Sequence, residues 1–237
     1  MRTHSACRAA GGLLVTLSLL AVPQGVGAQD ADLYVGFYLG LSQPLDSDFT
    51  VRDSGAGTGG VVGDVGFNGS FLLGWKVGGF FPRGAGSPWP QFGLELDLYA
   101  FDADQDVEKI RPTVEVSDFE DIHVETLALN LLARYPLGRS AELPSGRFQV
   151  YAGIGGGFER ARAEVPGFIL FSTAAEDEDL SPVFQALAGV KLFFTPHLAF
   201  FAEYKYSRAS HSLQLFDVSE KFVLEVNHFA GGFAYHF

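Results

Sequence analysis

The chain is poor in cysteine and methionine, with one of each in 237 residues. It is also poor in basic residues: 16 Lys and Arg stand against 28 Asp and Glu, a net charge of −12. One cysteine excludes a disulfide framework and a cysteine-cluster zinc site. An acidic balance without a basic cluster excludes nucleic acid as a partner. Beyond residue 28 there is no apolar run of 18 residues, so no membrane-spanning helix is expected. What is abundant points elsewhere. A hydrophobic fraction of 47% supports a folded chain. The 29 glycines and 14% aromatic residues favour strands and turns over a helical core.

The first 28 residues have the anatomy of an export leader. Arg2, His4 and Arg8 make a basic start, and Leu13 to Val22 is apolar apart from Thr16 and Ser18. Pro23 ends the run, and Val26-Gly27-Ala28 supplies small residues for cleavage after Ala28. Residues 1–28 are therefore expected to be a signal peptide, and 29–237 the mature domain. A protein exported without a membrane helix can still enter a membrane as a closed barrel.

Period-two alternation recurs in eight segments. In the first, Leu33, Val35, Phe37, Leu39 and Leu41 oppose Tyr34, Gly36, Tyr38, Gly40 and Ser42. Seven more follow, around Asp64–Phe81, Gln91–Tyr99, Thr126–Tyr135, Phe148–Glu159, Phe184–Phe194, Leu198–Ser207 and His228–Phe237. One face is continuously apolar; the other holds glycine, small polar groups and single charges. Such a second face makes a poor dry core, so the apolar face is expected to meet lipid. Phe81, Phe92, Tyr135, Phe148, Phe194, Leu198 and Phe237 sit at segment ends beside one set of turns, with Trp89 at the same level. That is the placing of an aromatic girdle. Short connections (Pro82–Pro90, Pro136–Gly146, Thr195–His197) alternate with long ones, roughly Gln43–Gly63, Asp102–Asp121, Arg160–Pro182 and Arg208–Glu220. Short periplasmic turns and long extracellular loops are the expected reading.

The chain stops at Gly232-Phe233-Ala234-Tyr235-His236-Phe237. With Asn130-Leu131-Leu132-Ala133-Arg134-Tyr135-Pro136, Tyr151-Ala152-Gly153-Ile154-Gly155-Gly156-Gly157 and Ala202-Glu203-Tyr204-Lys205-Tyr206, it resembles the OmpA/OmpX-like small outer-membrane barrels over essentially all of residues 29–237. The resemblance implies that the barrel-assembly machinery reads Phe233, Tyr235 and Phe237. It also implies outer-membrane lipid and lipopolysaccharide as surroundings, and a monomer.

An eight-strand barrel is only wide enough to be filled by side chains. Lys76, Glu95, Asp97, Asn130, Arg134, Gln149, Glu159, Lys191, Glu203 and Lys205 all fall on the second face. Buried charges need partners, so a salt-bridged polar plug is expected there. Glu95 and Asp97 share a face, but without substrate access they are not expected to do acid–base chemistry. Asp102, Asp104, Asp106 and Glu108 resemble part of a calcium loop, yet Val107 and Thr113 break the pattern. With the acidic run Glu176–Asp179, they read as solvated loop, with weak cation bridging to lipopolysaccharide phosphates as the sharper alternative. His211 and Ser212 invite comparison with lipid A deacylases, but Leu213 departs from the His-x-Ser-Asn pattern, and neighbours on a strand face opposite sides. His228 and His236, about 26 Å apart along one strand, cannot share an ion.

The expected fold is all-β: an eight-stranded antiparallel transmembrane barrel, or ten strands if a long loop hides a hairpin. The expected role is structural or surface-interacting, with acidic extracellular loops. A narrow OmpW-like conduit is the alternative, and a lipid A deacylase a remote one. No enzyme activity, cofactor or metal is expected.

Overall fold

The computed structural model describes residues 31–45, 47–53, 59–65, 68–82, 89–103, 121–138, 143, 146–165, 175–215 and 218–237. The leader with Ala28, the residues from Asp104 to Glu108, and Thr113 lie outside these. The described strands are β1 (Asp32–Pro44), β2 (Ser47–Asp53), β3 (Gly59–Val65), β4 (Ser70–Phe80), β5 (Gln91–Asp102), β6 (Asp121–Leu137), β7 (Phe148–Val165), β8 (Ala175–Phe193), β9 (Leu198–Leu215) and β10 (Val218–His236).

Every pairing is antiparallel. The order β1-β4-β5-β6-β7-β8-β9-β10 closes on itself through β1–β10. Ten strands therefore make eight staves. β2 continues β1 along the same side of β10, pairing Thr50–Asp53 with Lys221–Val218. Leu45 N donates to Glu225 O across the break at 2.8 Å. β3 returns against β2 and leads into β4. The first long connection does hold a hairpin, but it lengthens two staves and adds none. Closure satisfies the backbone groups that lipid could not.

The faces follow the alternation. Phe37, Leu39, Leu41, Leu73, Trp75, Leu94, Leu96, Leu129, Leu131, Ile154, Phe158 and Phe184 all point outward and lie exposed. On β6 this band runs from Leu127 to Leu137, and on β7 from Phe148 to Phe158. Those lengths suit the 9–11 residues a tilted strand needs to cross a bilayer. The girdle residues Phe81, Phe92, Tyr135, Phe148, Phe194, Leu198 and Phe237 are all outward and exposed at the short-turn end, with Trp89 beside them.

At the far end the polarity of the two faces inverts. Inward positions become apolar: Ile122, Val124, Ala161, Val183, Ala209, Phe222, Leu224 and Val226 are buried. Outward positions become charged, with Arg160 against Glu125 at 3.6 Å and Arg208 against Glu225 at 3.3 Å. This is the arrangement of a barrel wall in water, and it marks where the lipid band stops. It also corrects two expected loops. Arg160–Pro182 and Arg208–Glu220 are largely strand: β7 runs to Val165, β8 starts at Ala175, β9 reaches Leu215 and β10 starts at Val218. The acidic run Glu176–Asp179 belongs to β8 rather than to a loop.

The β6–β7 turn needs glycine at Gly146, where φ is +82° and an added Cβ would lie 2.8 Å from Leu137 O. Gly146→Ala is expected to cost about 1–3 kcal/mol, read from the urea unfolding midpoint of the refolded protein.

Candidate functional site

The interior of the barrel gathers side chains from most of the staves. All ten charged or amide residues expected there (Lys76, Glu95, Asp97, Asn130, Arg134, Gln149, Glu159, Lys191, Glu203 and Lys205) are inward and at most 5% exposed. Alternation places them: each is next in sequence to an outward apolar residue, so the strand pleat alone turns it inward.

At the short-turn end Arg134 (β6) pairs with Asp32 (β1) at 2.6 Å and donates to Gln91 Oε1 and Gln149 Oε1. Its guanidinium lies 3.8 Å from the centre of the Phe80 ring. One level further in, Lys76 (β4) donates to both carboxylate oxygens of Glu203 (β9), at 2.9 and 2.8 Å, and lies 3.4 Å from Glu95 (β5). Tyr34 OH and Asn130 Nδ2 donate to Glu95, and Tyr151 OH donates to Glu203. Next, Lys205 (β9) pairs with Asp97 (β5), which also accepts from Tyr38 OH at 2.7 Å. Lys205 Nζ lies 4.1 Å from the centre of the Tyr99 ring. Gln185 accepts from Tyr99 OH and donates to Asn130 Oδ1. Lys191 rests 4.0 Å from the centre of the Tyr34 ring.

Within the far end, opposite Phe222, His211 bridges Glu159 at 3.1 Å and Asp179 at 2.9 Å, while Thr126 donates to Glu159 and Ser181 to Asp179. Against the cost of partial burial, the hydrogen bonds from Ser181 and His211 hold the Asp179 carboxyl below the ordinary carboxylate range. His211 is buried and Ser212 exposed, so the two face opposite sides. Both imidazole nitrogens of His211 are engaged by carboxylates. Glu95 and Asp97 share the inner face, but each meets a lysine rather than the other. Among the described residues no group of three His, Cys, Asp or Glu is arranged to hold a metal ion.

The sequence reading put Gln185, His228 and His236 on the inner face without counting them in the polar network, and missed Asp32 and His211 as members of this interior, together with the buried Leu72, Phe80, Leu132, Phe193 and Phe201 that pack beside it. Strand parity was the signal that could have found them. A cavity of about 10 Å³, room for one water molecule, is lined by Tyr34, Glu95, Gln149, Tyr151 and Lys191 among others. Phe233, Tyr235 and Phe237 face outward and are exposed.

No curated protein matches the chain. Among solved structures, the outer membrane protein OprG from Pseudomonas aeruginosa is 16% identical, covers 88% of this chain and 96% of its own, and superposes with a TM-score of 0.56. The neisserial surface protein NspA is 13% identical, with coverage of 88% and 100% and a TM-score of 0.46. Ail of Yersinia pestis is 14% identical, with coverage of 86% and 98% and a TM-score of 0.36. At such identity the likeness to OprG speaks for the fold. The family profile described as "Outer membrane protein beta-barrel domain" matches residues 12–237. The closed barrel described above agrees with that description, and the chain belongs to this family of bacterial outer-membrane proteins.

Proposed function

We propose that this is a structural, surface-presenting barrel whose interior is closed to solutes. It is exported by a leader cleaved after Ala28 and inserted by the assembly machinery through Phe233, Tyr235 and Phe237. It works as a monomer among lipid and lipopolysaccharide, with its charged far end outside the cell. One observation carries the reading: Lys76 reaches from β4 to Glu203 on β9 and lies against Glu95 on β5, all three buried. An ion pair that spans a barrel of this width occupies the path a solute would take. Closure of β1 on β10 needs no second chain, which supports the monomer.

A narrow conduit for small apolar molecules is the second reading, favoured by the apolar interior at the far end, where Phe101, Ile122, Val124 and Phe222 are buried. Such a molecule would still meet the charged levels below. No catalytic role is proposed, since the nitrogens of His211 are already engaged.

Planar-bilayer recording separates these. The purified protein is expected to give no stable conductance steps. Reproducible steps from the unaltered protein would overturn the closed-interior reading.

A further inference from the structure

We infer that His228 and His236 form a paired clasp that sets the register in which the barrel closes. Apart from β2–β10, which prolongs the β1–β10 seam, each of the other barrel pairings joins strands linked by a connection of the chain, so the connection restricts its register. The β1–β10 seam has no such turn. Its side-chain bonds link residues 204 and 186 positions apart. Nor does the apolar pattern decide its register. A slip of two residues keeps every outward side chain outward and exchanges one complete set of backbone bonds for another. Yet the register matters, because with the other pairings set it determines the shear, and so the tilt and width of the barrel.

Between its ends the inner side of the seam holds Gly36, Gly40, Ala230, Gly232 and Ala234, with Tyr38 the one large side chain, and Tyr38 OH bonds to Asp97 on β5 rather than across the seam. At its two ends stand the inward histidines of β10. His236 Nδ1 lies 2.6 Å from Asp32 Oδ1 on β1, and its Nε2 lies 3.2 Å from Lys191 on β8. The ring stacks on Tyr34, centroids 5.1 Å apart. A neutral imidazole protonated on Nδ1 satisfies both contacts, donating to Asp32 and accepting from Lys191. His228 Nδ1 lies 2.8 Å from Ser42 Oγ on β1, and its Nε2 lies 3.0 Å from Ser207 Oγ on β9. Both histidines are buried. In the observed register Tyr34 stands opposite His236 and Ser42 opposite His228. A two-residue slip in either direction takes His228 from its place opposite Ser42; in one direction it also carries His236 away from Asp32, while in the other it sets His236 directly opposite Asp32, so that His228 opposes both slips and His236 one of them, each at the cost of an unmade hydrogen bond in the interior. Two markers eight residues apart therefore select one register out of several that the backbone accepts.

The test is disulfide formation across the outer face of the seam in outer-membrane fractions. Leu39→Cys with Gly231→Cys reports the observed register; Leu39→Cys with Phe229→Cys and Leu41→Cys with Gly231→Cys report slips of two in either direction. Directly opposed residues can bridge, while diagonal neighbours at about 7–8 Å cannot without backbone movement. With both histidines present, only the first pair should bridge. In H228A/H236A the slipped pairs should rise about tenfold. Bridging confined to the first pair in that background, at the unaltered yield, would overturn the proposal. If H228A/H236A does not close, Asp32→Ala with Ser42→Ala, which leaves both histidines in place, decides: the slipped pairs must rise there, and their absence overturns the proposal.

Discussion

Replacing Lys205 with methionine is expected to lower the unfolding free energy of the refolded barrel by about 3–5 kcal/mol, the usual cost of leaving one buried charge uncompensated. Lys205 is 1% exposed and pairs with Asp97, which is fully buried. Without the ammonium, Asp97 keeps the Tyr38 hydroxyl but no nearby cation beyond the Lys76 level. The attraction between the two charges is not itself the source of the effect, because both were desolvated to form the pair. The Asp97→Leu/Lys205→Met double variant should therefore recover most of the loss, as well-packed apolar replacements of buried pairs do. Urea titration followed by tryptophan fluorescence measures both variants. A single-variant loss below about 1 kcal/mol would be the exposed-pair value, and would mean that water fills the interior.

The second large effect concerns the opposite face. Leu131 points outward in the middle of the apolar band of β6. Leu131→Arg is expected to cost about 2–4 kcal/mol, the penalty for a cation at the bilayer midplane of a barrel. The chain already carries arginines on the same outward face beyond the band, Arg160 on β7 and Arg208 on β9, each beside a glutamate. Arg160→Leu should accordingly shift stability by only a few tenths of a kcal/mol. Refolding into bilayers with urea titration reads both substitutions. Equal costs at Leu131 and Arg160 would contradict the inversion of face polarity.

The eight staves and their facing were legible in the sequence because the strand period is two and one face was unbroken apolar. That sufficed to place Lys76, Glu95, Asp97 and the other charged positions inward. The far-end extensions of β7 to β10 were not legible by the same rule. Their period is still two, but Arg160, Glu178 and Glu225 take the outward positions there, so a search for an unbroken apolar outer face stops at Phe158 and Phe229. The break between β1 and β2 hid a continuous stave for a similar reason: register shifts near Ser47 and Phe49 scramble the parity. The partners within the interior were out of reach. Which lysine meets which carboxylate depends on the register of the staves, and at the seam that register is not local information. His228 and His236 were visible as inward residues of one strand, but Asp32 and Ser42 lie at the other end of the chain.

The most direct test of the account is the surroundings of Trp75, which the structure puts on the outer face of β4 in the middle of the apolar band. Trp89 is the other tryptophan, in the turn beyond the girdle, and Trp89→Phe isolates the signal. In bilayers of lipids brominated deep in the acyl chain, Trp75 fluorescence should be strongly quenched, while aqueous iodide should leave it unchanged. Quenching by iodide and none by brominated lipid would place that face in water, and the transmembrane barrel described above would be wrong.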